Sequence, residues 1–114
     1  MSGPESIWVK VCELTDIPLR GSRVLKTEAG CVALFRTVGD DVFALRDQCP
    51  HKKGPLSQGI VHDRSIACPL HNMVFDLDTG FARGPDAYEA QTFPTKVEQG
   101  IISVDLRNLS EGRQ

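Results

Sequence analysis

Cys49-Pro50-His51-Lys52-Lys53-Gly54-Pro55-Leu56 and Cys68-Pro69-Leu70-His71-Asn72 are the two stretches on which the reading of this 114-residue chain turns. Sixteen residues separate His51 from Cys68, so two of the four cysteines and two of the three histidines fall in two short Cys/His pairs. Thiolate is a soft metal ligand and imidazole a borderline one, and the set suits zinc or iron. Prolines beside the donors restrict the backbone and help to pre-form each loop. Gly54 and Gly59 allow tight turning and a close approach to an inorganic core. Zinc sites of the Cys2His2 kind usually pair Cys with Cys and His with His. Here each loop supplies one of each, which suits two metal ions side by side, one taking both cysteines and the other both histidines.

Outward from these loops the chain is written mostly in period two. Residues 7–12, Ile-Trp-Val-Lys-Val-Cys, read as a strand that ends at the turn material around Asp16 and Pro18. Cys31 to Arg36 and Val42 to Leu45 flank Gly39-Asp40-Asp41 as a hairpin. Met73 to Leu77, the turn Asp78-Thr79-Gly80 and Phe81-Ala82 form a second. Lys96 to Glu98 meets Gln99-Gly100, and the return run puts Ile102, Val104 and Leu106 on one face with Ser103 and Asp105 on the other. No window shows a convincing helical stripe. The expected class is all-β, a sandwich or small barrel. Gln48 to Asn72 is read as one long loop-rich stretch, and so as functional.

Composition narrows the chemistry. The chain is 40% apolar and 25% charged, an ordinary globular balance. Thirteen basic against fifteen acidic residues give a net charge of −2, which excludes the overall basic footprint of a nucleic-acid binder. One domain is expected over residues 1–114, with an ordered body at about 7–106 and polar tails. A domain of this size leaves little room for a substrate pocket with its own lid, so a bound cofactor must carry any redox chemistry. The start, Met1-Ser2-Gly3-Pro4-Glu5-Ser6, lacks a secretory pattern, and no run approaches the roughly 18 apolar residues of a membrane span. A cytoplasmic location with no membrane or nucleic-acid partner is the expectation, and cysteines in that setting read as metal-binding or catalytic rather than as a disulfide framework. Cys12 and Cys31 lie in strand runs and read as small core residues, His62 as exposed, and Trp8 and Phe93 as core or edge aromatics. No Ser/His/Asp set, Walker loop or dinucleotide glycine pattern occurs, so no catalytic residue is assigned in this chain.

The paired motif resembles the two ligand loops of the Rieske [2Fe–2S] family, and Gly84-Pro85-Asp86 resembles the proline-containing loop that covers the cluster there. The resemblance implies three stacked antiparallel sheets with a [2Fe–2S] cluster held between two loops at one tip. It assigns Cys49, His51, Cys68 and His71 as ligands. Replacing two thiolates of an all-cysteine cluster by neutral imidazoles removes two negative charges and eases electron uptake. Gly54-Pro55-Leu56-Ser57-Gln58-Gly59-Ile60-Val61, the run from Cys68 to Gly80, and Gly84-Pro85-Asp86 leading to Thr92-Phe93-Pro94 are most similar to the small subunit of assimilatory NAD(P)H-dependent nitrite reductase. That likeness implies an oxidoreductase role as a small subunit, beside a large subunit carrying FAD, sirohaem and a [4Fe–4S] cluster, in the six-electron reduction of nitrite to ammonium. The alternatives are a Rieske ferredoxin delivering electrons to a ring-hydroxylating dioxygenase and, from another class, a zinc-stabilised interaction module. Lys52 and Lys53 belong to a stretch, Arg46 to Phe75, with four basic and two acidic residues, which suggests a positive tip that could dock on an acidic partner face.

Within the family, Gly54 and Leu70 stand where cytochrome-complex members carry a bridging cysteine pair, so that disulfide cannot form here. Met73 and Phe75 stand where those members place Ser and Tyr hydroxyls. Without O–H donors to sulfur the more negative reduced state is less favoured. A redox titration should therefore place the midpoint toward about −150 mV rather than about +300 mV, and a value above roughly +100 mV would overturn this expectation.

Overall fold

Val32-Ala33-Leu34-Phe35 is apolar at every position, the signature of a strand covered on both faces. All four side chains are 0% exposed in the computed structural model, which describes residues 8–27, 30–48, 55–68, 73–83 and 88–106. They belong to β3 (Gly30–Arg36), an inner strand of a four-stranded antiparallel sheet that also holds β2 (Ser22–Thr27), β4 (Val42–Arg46) and β8 (Thr92–Phe93), in the order β2-β3-β4-β8. A second sheet has the order β1-β10-β9, from Trp8–Glu13, Ile101–Asp105 and Thr95–Glu98. The third is a meander of three-residue strands, β5 (Ile60–His62), β6 (Ser65–Ala67) and β7 (Val74–Asp76). This is the three-sheet, all-antiparallel architecture that the resemblance implies.

Strand alternation assigns the two sides of the middle sheet to two separate cores. Ala33, Phe35 and Leu45 face one way and pack with Val61, Ile66, Phe75 and Leu77 of the third sheet and its turns. Val32, Leu34, Val42 and Ala44 face the other way and pack with Ile102 and Val104 of β10. The four-stranded sheet is thus the central layer, and β3 contributes to both interfaces. Ile17, also 0% exposed, closes the second core from a 3-10 turn (Leu14–Asp16). Arg36 ties that turn to the β3–β4 hairpin. Its Nη1 donates to the carbonyls of Leu14 (3.3 Å) and Ile17 (2.7 Å), and its Nε and Nη2 donate to Asp40 Oδ1.

The β3–β4 hairpin falls where the sequence places it, with Thr37 N–H donating to Asp41 O and Asp40 at φ 67° in the turn. β10 presents Ile102 and Val104 to the core as expected, but Ser103 and Asp105 on its other face are buried as well, because β10 is the inner strand of its sheet. Trp8 lies on the edge strand β1, 40% exposed, with Lys96 Nζ 4.5 Å from its ring centroid. Two expectations need correction. The stretch from Gln48 to Asn72 is not all loop, since β5 and β6 form a hairpin inside it. Phe81 and Ala82 do not form a full return strand either, and pair through isolated bridges, Phe81 with Glu89 and Ala82 with Phe75.

Both cores should prove essential to stability. Phe35→Ala on one side is expected to cost about 3–5 kcal/mol and Leu34→Ala on the other about 2–5 kcal/mol, as read by urea denaturation. A loss under about 1 kcal/mol in either variant would contradict a two-core middle sheet.

Candidate metal centre

Of the four donors assigned from sequence, Cys68 lies among the described residues; Cys49, His51 and His71 lie outside them, as do Lys52, Lys53 and Gly84-Pro85-Asp86. Cys68 directly follows β6, is 1% exposed, and donates its N–H to the carbonyl of Met73 at 2.7 Å. That bond closes the base of the segment that carries His71. The β6–β7 register continues it inward, Ala67 opposite Val74 and Ile66 opposite Phe75.

The segment that carries Cys49 and His51 is closed at its base by side chains. Asp47 extends the middle sheet by one bond, its N–H donating to Cys31 O at 2.9 Å. Its carboxylate accepts from Ser57 twice, Oδ1 from the backbone N–H at 2.7 Å and Oδ2 from the hydroxyl at 2.8 Å. Ser57 is held a third way, its carbonyl accepting from Ser22 Oγ of β2 at 2.9 Å. The segment carrying Gly84-Pro85-Asp86 is closed by Ala82 N–H donating to Tyr88 O at 2.9 Å, while Arg83 N–H donates to Val74 O at 2.8 Å.

These three bases share one apolar bed. Leu56 from the first, Cys68 and Met73 from the second, and Ala82 and Tyr88 from the third belong to the same packed cluster as Phe35, Leu45 and Phe75. The topology therefore brings the described bases of the three segments together between the middle and third sheets. A thiol held there is shielded from water on its protein side, and no side-chain hydroxyl stands at positions 73 and 75. Soft donors over a dry, apolar bed fit an iron–sulfur group. Among the described residues no three His, Cys, Asp or Glu side chains gather as a metal site, so no rival centre stands elsewhere in them.

The remaining sequence assignments resolve as follows. Cys12 and Cys31 are half-buried free thiols on β1 and β3, and Cys12 packs against the second core. Burial pushes the Cys12 thiol up, Arg23 partly offsets this, and Asp16 adds to it, so Cys12 is a neutral thiol at neutral pH rather than a nucleophile. The His62 side chain is 77% exposed and lies 3.4 Å from Asp63. Phe93 is buried in the second core. Gly59 serves the site differently from the expectation. A Cβ there would run into the carbonyl of Ala67, so its smallness lets the chain entering β5 lie close against its antiparallel partner β6 one residue before Cys68. Of the four basic residues counted toward a positive tip, Arg64 pairs with Asp41 (2.7 Å) and lies over the Phe43 ring, while Lys52 and Lys53 lie outside the described residues. Sequence reasoning missed Asp47 and Ser57, which meet only through the fold.

With the fold and the loop bases described, relatives can be compared. The Rieske-like [2Fe–2S] domain family matches residues 7–105, and the chain belongs to that family. Its cofactor is accordingly a Rieske-type [2Fe–2S] cluster, and its role is electron transfer. Ferredoxin CarAc of Metapseudomonas resinovorans is 35% identical over 100 residues, covering 86% of this chain and 92% of that one. A chain of the complex of reduced oxygenase and oxidised ferredoxin in carbazole 1,9a-dioxygenase superposes with a TM-score of 0.79 at 30% identity, over 89% of this chain and 94% of that one. A chain assigned as the small subunit of an NADPH nitrite reductase superposes with a TM-score of 0.77 at 28% identity, over 86% and 97%. No helix among the described residues is long and apolar enough to cross a membrane.

Gly59→Ala tests the close approach at the loop base. The added methyl must displace the Ala67 backbone, and a loss of about 1–3 kcal/mol is expected, measured by thermal unfolding. An unchanged midpoint would show that β6 yields freely at this point.

Proposed function

We propose that Cys49 and Cys68 hold one iron of the cluster and His51 and His71 the other, and that the chain is a one-electron carrier for a separate oxidoreductase. The observation that carries this is the shared apolar bed, which brings the bases of both Cys/His segments together beside the buried Cys68. A [2Fe–2S] cluster supplies one-electron redox chemistry when bound. The residues of this chain supply two thiolates that stabilise ferric charge, two neutral imidazoles that keep the net charge low, and an apolar floor that excludes water. In this reading the chain carries electrons, and chemistry on a substrate belongs to the partner.

For the partner, a ring-hydroxylating oxygenase is the first reading. It is supported by the 35% identity to a ferredoxin and the 30% identity to a chain of an oxygenase–ferredoxin complex. The small-subunit role in assimilatory nitrite reductase is the second. It rests on the structural likeness to an assigned nitrite reductase small subunit and on the runs from Gly54 to Val61 and from Cys68 to Gly80. In either role Lys52 and Lys53 are candidates for contact with an acidic docking face.

Anaerobically purified protein should be red-brown, contain equal iron and acid-labile sulfide, and give a low average g value in the electron paramagnetic resonance spectrum of its reduced form. Cys68→Ser and His71→Ala should each lose this signal, whereas Cys12→Ala and Cys31→Ala should retain it. A colourless zinc protein, or full colour in Cys68→Ser, would refute the ligand assignment. Stopped-flow reoxidation by an oxygenase component and by a sirohaem-containing reductase of the same organism then separates the two partners.

A further inference from the structure

Asp47 and Ser57 are not ligands, yet no other side-chain pair among the described residues brackets a predicted ligand segment so directly. They stand at its two ends, and every polar group of Ser57 is engaged. Its N–H and hydroxyl donate to the Asp47 carboxylate at 2.7 and 2.8 Å, and its carbonyl accepts from Ser22 at 2.9 Å. Asp47 in turn is fixed to the middle sheet through its N–H to Cys31. Both ends of the segment are therefore fastened to the same sheet, one through β3 and the other through β2. The neighbouring Leu56 is 0% exposed, which prevents the exit side from lifting as a whole.

The chemistry of the pair suits a fastening better than a general surface bond. A carboxylate accepting from a backbone N–H and a hydroxyl at once makes two charge-assisted bonds, stronger than neutral ones and fixed in direction. The second ligand segment needs no such device, because its two ends are adjacent strands of one meander joined by the Cys68–Met73 backbone bond. The ends of the first belong to no common hairpin: one follows β4, and the other leads through a 3-10 turn (Leu56–Gln58) into β5. Where the backbone ladder cannot close the loop, the side chains do.

We infer that the Asp47–Ser57 pair is a positioning clamp, which sets the separation of the two ends of the Cys49–His51 segment and thereby controls how firmly that half of the ligand set holds the cluster. The inference rests on the ligand reading above. Asp47→Ala removes both acceptors. Ser57→Ala removes one bond and leaves the backbone N–H on Asp47. Asp47→Asn keeps an acceptor for that N–H and rescues part of the effect.

The test is the rate at which iron passes from holo-protein to an excess of a ferrous chelator under reducing conditions, compared at matched fraction folded. Thr95→Val is the control, since it deletes a side-chain bond of similar length (Thr95 Oγ1 to Val42 O, 2.7 Å) between β9 of the far sheet and β4. Expected are release at least tenfold faster in Asp47→Ala, two- to fivefold faster in Asp47→Asn and Ser57→Ala, and unchanged in Thr95→Val. The reduced electron paramagnetic resonance lines should broaden in Asp47→Ala and not in Thr95→Val. Should Asp47→Ala fail to fold, Ser57→Ala and Asp47→Asn carry the test alone. Wild-type protein without iron and sulfide would overturn the ligand reading. Wild-type protein with its cluster, but variants that release iron at the wild-type rate or no faster than Thr95→Val, would overturn the clamp.

Discussion

A single strand serving two hydrophobic interfaces is the constraint on which this molecule is built. In β3, Ala33 and Phe35 look toward the loop-bearing sheet, and Val32 and Leu34 look toward β10. Neither outer sheet has enough residues to bury a face alone. The third consists of three strands of three residues each, well short of independent stability. Each becomes stable only by docking onto the middle layer. Removing apolar atoms from the middle strand therefore weakens a whole layer contact, because interiors at crystal-like density do not close over a gap.

The same arrangement explains how so short a chain presents a metal centre without a large scaffold. Stacking the meander on the middle sheet brings the ends of three separate segments over one apolar bed. Each base is closed by the means its local geometry permits. Strand-adjacent ends use backbone bonds, Cys68 with Met73 and Ala82 with Tyr88. Ends from different sheets use the carboxylate of Asp47. Rigidity at a redox centre limits the structural rearrangement that accompanies electron gain and loss, and here it originates in the layers beneath.

Much of this was legible from residue order, for reasons that differ by element. The Cys49–His51 and Cys68–His71 pairs stood out because soft donors at short spacing beside prolines have few other uses. The β3–β4 hairpin was legible because β-branched and aromatic runs flank Gly39-Asp40-Asp41. The β5–β6 hairpin was not, because three-residue strands bounded by prolines and glycines are too short to show an alternating apolar pattern. β2 was hidden by its charges: Arg23 and Lys26 point outward from an edge strand, so Ser22 to Thr27 lacks a clear apolar run. The Asp47–Ser57 bonds had no pattern of their own, since an acidic residue and a serine ten positions apart become partners only through the fold. Gly59 looked like a loop glycine and proved to be a point of close backbone approach, a distinction set by the position of Ala67. The partner was least legible, because the residues that distinguish redox partners lie on a surface whose chemistry many carriers share.

One feature gives the molecule an internal means of observation. Trp8 is the sole tryptophan and sits on the edge of the β1-β10-β9 sheet, the layer opposite the loop end, beneath the Lys96 ammonium. An iron–sulfur cluster held by the proposed ligands would colour the other end. Indole emission therefore reports on one outer layer and visible absorbance on the other, with the middle sheet between them. A single sample heated slowly thus carries two optical channels, and the interval between their transitions measures how tightly β3 couples the layers it joins.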